Sequence, residues 1–304
     1  MANAPYTTLI TVAQLQALQQ SAPDSVMVFD CSFELGKPST GPEQFAQSHI
    51  PGAVYANVDK DLSAPHGAPG HNGESITADD MGKPASGGRH PLPSRERFAV
   101  WLSQMGFRND MQAVVYDRNG VNYAGRLWWM LKWAGHNAVA VLDGGLQAWQ
   151  ATGGAVEAGQ STSRFQSNFE LRAPLRELKT ADQVMHALGS PEQTIIDARA
   201  PARYRGEVEP LDPVAGHIPG ALNRPFTTNI AANGHFKPAA ELRAEFDALL
   251  AGHDPKTVVH QCGSGVSALP NLIAMEIAGY EPTALFAGSW SEWCSDAARP
   301  VEKG

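Results

Sequence analysis

Apolar residues run along this chain in short unbroken stretches that alternate with longer segments where they recur every three or four positions. SVMVFD at 25–30, AVVYD at 113–117 and AVAVLDGG at 138–145 are of the first kind and predict buried strands. RERFAVWLSQMG at 95–106 and RLWWMLKWAGH at 126–136 are of the second kind and predict amphipathic helices, the first ended by glycine. The same alternation returns with QTIIDAR at 193–199, AAELRAEFDALLAG at 239–252, TVVHQ at 257–261, an apolar helix after Val266, and PTALFAG at 282–288. Strands alternating with helices predict a parallel, doubly wound α/β sheet in each half.

The two halves are copies. HIPGA occurs at 49–53 and again at 217–221, 168 residues apart. The segment from AVVYD into its helix aligns with TVVHQCGSGVSALPNLIAMEIAG at an offset of 145, and LDGGLQAW at 142–149 aligns with FAGSWSEW at 286–293. The order is the same in both, which indicates a duplicated domain rather than a solenoid. The shorter later offset leaves 23 extra residues in the first copy, within the Gly-, Pro-, Ser- and His-rich stretch 63–93, which predicts an exposed excursion without regular structure. Domain boundaries are expected at 1–151 and 165–304, joined by a linker at 152–164.

Composition narrows the function classes. With 304 residues and 43% hydrophobic content there is enough apolar material for two cores. A formal net charge of −8 without a basic stripe disfavours nucleic acid or an anionic membrane as partner. No apolar run approaches the roughly 18 residues that span a bilayer, and the N-terminal stretch lacks the charge and apolar pattern of a leader, so a cytoplasmic location is expected. The three cysteines, Cys31, Cys262 and Cys294, have neither CxxC nor Cys/His spacing. Disulfide scaffolding and structural zinc are not expected, and a buried free thiol is the default for each.

Cys262 departs from that default. It opens CGSGVS, a glycine-rich turn between a predicted strand and a predicted helix. Such a turn aims several backbone N–H groups at one point, and the helix dipole adds partial positive charge there. A sulfur at that point is stabilised as an anion, so Cys262 should react as a thiolate, and the amides of Gly263, Gly265, Val266 and Ser267 can hold a sulfur atom added to it. Gly263 and Gly265 are expected to supply the backbone conformations of the cradle. A phosphatase-type C-x5-R loop would need arginine at position 268, which is Ala268. In the first copy Asp117 stands where Cys262 stands in the second, so the first half should be non-catalytic.

HIPGA in both halves, GSWSEW near the end and a cysteine loop in the second half alone resemble the tandem-domain rhodanese family of sulfurtransferases. CGSGVS is similar to the CGSGVT loop of the 3-mercaptopyruvate sulfurtransferases, less so to the CRKGVT loop of the thiosulfate enzymes. The resemblance implies two rhodanese-like domains, each a doubly wound, mainly parallel sheet flanked by helices. It implies transfer of sulfane sulfur through a Cys262 persulfide to a thiophilic acceptor such as cyanide, a thiol or thioredoxin, with no metal or organic cofactor. By the same resemblance Ser264, His90 and Asp59 form a proton relay, and Arg203 in DARAPARYRGE at 197–207 binds the donor carboxylate. His66 and His71 are alternatives to His90. A second arginine, which in the mercaptopyruvate enzymes follows an acidic-proline run, is replaced here by Leu211, which predicts weak carboxylate binding unless Arg205 or Arg224 fills the role. Two other readings stay open: a thiosulfate-specific enzyme, and a non-enzymatic persulfide carrier. His49, His217 and Arg199 are expected to be structural, and Trp128, Trp129 and Trp133 to pack.

Overall fold

The structure, a computed structural model, describes residues 4–65, 82–161 and 164–304. The chain divides into two compact units: residues 1–62, 95–175 and 230–236 form the first, and 63–94, 176–229 and 237–304 the second.

In the first unit the elements run β1 (Leu9–Ile10), α1 (Val12–Ser21), β2 (Val26–Asp30), α2 (Thr40–Gln47), β3 (Val54–Tyr55), α3 (Arg95–Gln104), β4 (Gln112–Tyr116), α4 (Ala124–Trp133), β5 (Val139–Leu142) and α5 (Gly145–Ala151). The five strands pair in the order β1-β5-β4-β2-β3, every pair parallel. Register is set by Val28 beside Val114 and Val114 beside Ala140. All residues of β2, β4 and β5 are buried, which explains why these strands read as unbroken apolar runs rather than alternating ones: helices cover both faces. Trp128, Trp129 and Trp133 are buried on α4, with the Trp128 Nε1–H donating to the Thr7 carbonyl at 3.0 Å.

The second unit repeats the plan with α6 (Ala181–His186), β6 (Thr194–Asp197), α7 (Pro201–Tyr204), β7 (Leu222–Asn223), α8 (Ala239–Leu250), β8 (Val258–Gln261), α9 (Leu269–Ile277), β9 (Ala284–Leu285) and α10 (Ser289–Trp293). Its sheet has the order β7-β6-β8-β9, again all parallel. A parallel bridge from Leu178 to Leu285 stands where β1 pairs β5 in the first copy. Trp290 and Trp293 anchor this core with Ile195, Val259 and Phe286.

The HIPGA histidines do the same structural work twice. His49 stacks on Phe45 and bonds its carbonyl through Nδ1 at 2.7 Å, and His217 stacks on Tyr204 and bonds its carbonyl at 2.8 Å. Each also sits in an antiparallel bridge, with Glu157 and Glu302 respectively.

One expectation is corrected. The stretch 63–93 was expected to be exposed, but its described ends are embedded: Ala64, Ser86, His90 and Leu92 are buried within the second unit. Gly88, at φ +87°, lies so close to the Gly288 carbonyl that a methyl group there would stand 2.5 Å from the oxygen. Glycine at this point is what lets an otherwise polar segment press against α10.

Candidate active site

Cys262 follows directly on β8, which has β6 on one side and β9 on the other. A residue leaving the carboxyl end of an interior parallel strand lies where open α/β sheets bind their ligands. The loop is held from behind by the turn that opens α10. The Cys262 N–H donates to Ser289 Oγ at 3.1 Å, the Trp290 N–H donates to the Cys262 carbonyl at 3.0 Å, and the Ser291 N–H donates to the Gly263 carbonyl at 2.9 Å. GSWSEW is thus the part that fixes the cysteine loop.

The two loop glycines serve different purposes. Gly265 has φ +73° and lies against Ala287, whose carbonyl oxygen any β-carbon would overlap. Gly263 is not left-handed. It leaves room: a methyl placed on it would sit 3.2 Å from Arg89 Nη2 and 3.4 Å from Arg203 Nη1. Val266 is buried and Ser267 half-buried.

The first copy shows what such a loop holds. The Asp117 carboxylate accepts four backbone N–H bonds, from Asn119 (2.8 Å), Val121 (3.0 Å), Tyr123 (2.8 Å) and Ala124 (2.9 Å). Burial pushes this carboxyl above its ordinary range while the four donors pull it down. The turn from β4 into α4 is an anion cradle already filled by a side chain. At the start of α9 no capping side chain from Ala268 competes for the corresponding amides.

The other candidates fall as follows. His90 Nδ1 and Ser264 Oγ are 2.7 Å apart, both buried, and both belong to the second unit. Asp59 belongs to the first unit, where its N–H donates to Asn57 Oδ1 at 2.9 Å. His66 and His71 lie outside the described residues. Arg203 is engaged by carboxylates of the chain itself: it bonds Glu209 at 2.6 Å and 3.2 Å, and Asp212 at 3.2 Å. Arg199 pairs with Asp197 at 2.7 Å and stacks over Trp290, a structural role. Burial pushes the Cys31 and Cys294 thiols above their ordinary range, which makes both poor nucleophiles.

Sequence reasoning missed Arg89 and Asp212. Arg89 donates to Asp212 Oδ1 at 2.5 Å, so Asp212 bridges Arg89 and Arg203. The signal was thin: Arg89 directly precedes His90, inside a stretch read as an excursion. Among the described residues no group of three or more His, Cys, Asp or Glu is arranged to hold a metal ion, and no helix is long and apolar enough to cross a membrane.

Comparison with known proteins finds relatives along the whole chain. The chain is 43% identical over 297 residues to a probable 3-mercaptopyruvate sulfurtransferase of Pseudomonas aeruginosa, covering 97% of this chain and 98% of that one. It is 38% identical over 300 residues to a putative thiosulfate sulfurtransferase of Mycobacterium tuberculosis, covering 97% of each. The solved 3-mercaptopyruvate sulfurtransferase of Leishmania major superposes with a TM-score of 0.76 at 26% identity, over 99% of this chain and 78% of the other. The rhodanese-like domain model matches residues 11–152 and again 180–296, so the duplication read from HIPGA is a duplication of that domain, and the chain belongs to the rhodanese-like family.

Proposed function

We propose that this protein is a sulfurtransferase that takes sulfane sulfur from 3-mercaptopyruvate onto Cys262 and passes it to a thiophilic acceptor such as cyanide, a thiol or thioredoxin. The observation that carries this reading is the setting of Cys262: a strand-to-helix loop of the kind that in the first copy binds a carboxylate through four N–H groups, with two guanidinium groups converging on the next residue. The similarity to proteins named as mercaptopyruvate and thiosulfate sulfurtransferases supports the reaction class.

In the first half-reaction the Cys262 thiolate attacks the thiol sulfur of the donor. A sulfur–sulfur bond forms, the carbon–sulfur bond breaks, and the electron pair leaves on carbon as the enolate of pyruvate, which takes up a proton. The loop amides hold the outer sulfur of the persulfide, as they would any anion. Ser264 and His90, hydrogen-bonded to one another at 2.7 Å, form the route by which that proton is delivered. In the second half-reaction the acceptor attacks the outer sulfur and Cys262 leaves as thiolate.

Incubation with mercaptopyruvate should add one sulfur to the intact mass and release pyruvate, and Cys262→Ser should abolish both. Turnover retained in Cys262→Ser would remove Cys262 from the reaction. Faster turnover on thiosulfate than on mercaptopyruvate would reassign the donor, and slow turnover on both would favour a carrier.

A further inference from the structure

Leu211 stands where the resembled enzymes carry a second donor-binding arginine, and neither sequence candidate replaces it. Arg205 is 44% exposed and paired with exposed Glu207, and Arg224 is buried against Phe246, bonded to Asn229 and Glu245. The guanidinium group that does reach the cysteine loop is that of Arg89. Its Nη2 and Arg203 Nη1 converge on Gly263, and its Nε–H is buried with no hydrogen-bond partner among the described residues. The arginine is held there by its own N–H, which donates to Ser291 Oγ at 2.9 Å on the turn that also grips Cys262 and Gly263, and by Asp212, which takes one oxygen to each arginine.

Resting on the sulfurtransferase reading, we propose that Arg89 and Arg203, bridged by Asp212, are the donor-binding pair at Cys262, and that their charge compensation selects a monoanionic donor over a dianionic one. Arg89, Arg203 and Arg199, which shares Glu209, carry three positive charges and Asp197, Glu209 and Asp212 three negative ones, so the cluster is formally neutral. Guanidinium N–H groups beyond those bound to Asp212 and Glu209 can fork onto one carboxylate. A second negative charge on the donor meets no surplus positive charge and stands beside two carboxylates. Mercaptopyruvate, with one carboxylate, suits this cluster; thiosulfate, with two charges, does not. Leu211 is 44% exposed, and the chain does without a cation there because Arg89 supplies the second guanidinium group at the loop.

The test uses two isosteric alkylating agents that differ in charge. Rates of Cys262 modification by iodoacetate and iodoacetamide are measured by peptide mass spectrometry, and their ratio cancels the intrinsic reactivity of the thiolate. Arg89→Gln should lower the iodoacetate-to-iodoacetamide ratio about tenfold, the scale of one charge-assisted hydrogen bond. It should raise the KM for mercaptopyruvate by a similar factor, with a smaller effect on kcat. Arg89→Lys, which keeps the charge and loses the fork, should fall between. Asp212→Asn should raise the ratio and shift kcat/KM towards thiosulfate relative to mercaptopyruvate by about tenfold. An unchanged ratio and KM in both Arg89 variants would overturn the proposal. A ratio that falls in Arg89→Gln while the wild-type protein turns over neither donor would uphold the anion pair and refute the sulfurtransferase reading instead.

Discussion

His260 gives this fold a calculable acid sensitivity. It lies on β8 between β6 and β9, fully buried, and neither ring nitrogen has a hydrogen-bond partner among the described residues. Burial, with Arg224 adding repulsion, pushes its pKa down to about 3. A histidine in an unfolded chain titrates near 6.5. Because the unfolded chain takes the proton first, the stability linked to this ring is complete above about pH 6.5 and is lost as pH falls towards 3. At pH 5 the loss is about 1.5 units at about 1.36 kcal/mol each, or about 2 kcal/mol. The first copy has Val115 at the equivalent place, so His260→Val borrows a residue the fold already accepts there. The substitution opens a small cavity that weakens the second unit at every pH, and the difference between pH 7 and pH 5 isolates the titration. Buried carboxyls whose pKa is raised, such as Asp117 and Glu292, act with the opposite sign and are common to both proteins. Urea unfolding at the two pH values, followed by hydrogen exchange in peptides of β6 and β8, reads this unit separately. Wild type should lose about 2 kcal/mol more than His260→Val between pH 7 and pH 5. Equal losses would show that the ring is not the group that titrates.

The remaining expectations concern the loops. Gly265→Ala, forced to φ +73° and against Ala287, should cost at least about 1–2 kcal/mol in backbone strain and abolish persulfide formation; Gly263→Ala should fold with an unchanged melting temperature but a raised KM, because the atoms nearest its methyl are the guanidinium nitrogens of Arg89 and Arg203. Asp117→Ala leaves two buried N–H groups, those of Val121 and Ala124, and two part-buried ones, those of Asn119 and Tyr123, without their acceptor and should destabilise the first unit by at least about 2 kcal/mol in urea, without affecting exchange in the second sheet. Leu211→Arg should leave the KM for mercaptopyruvate within about twofold of wild type, since its side chain is exposed and a charge there is worth little beside Arg89.

The parallel sheets, their duplication and the cysteine loop were legible because each leaves a local trace: unbroken apolar runs, repeated pentapeptides, and glycines on either side of a serine. What could not be read depends on approach between distant segments. Arg89 and Arg203 are 114 residues apart in sequence, and nothing in either neighbourhood says that one carboxylate, Asp212, joins them. The low apolar content of 63–93 pointed to solvent, and a polar segment can nevertheless be buried when Gly87 and Gly88 let its backbone pack closely and Ser86, Arg89 and His90 find partners. Gly263 looked like a conformational glycine and is a spatial one, a distinction that only its neighbours reveal.

The carboxylate of Asp117 is a ligand the first unit can never release. A tethered occupant loses no translational freedom on docking, so this copy is stabilised at any solute concentration, as if permanently saturated. In the proposed reaction the second unit has only an intermittent occupant in the corresponding loop, the outer sulfur on Cys262, whose hydrogen bonds to the loop amides exist in the folded chain and not in the unfolded one and so add to its stability. On that proposal the donor does more than charge the enzyme with sulfur: each turnover should carry the second unit through a more stable, persulfidated form and back to a less stable resting one. Starvation for donor should accordingly leave the second unit, and not the first, as the part of the molecule that opens most readily to proteolysis.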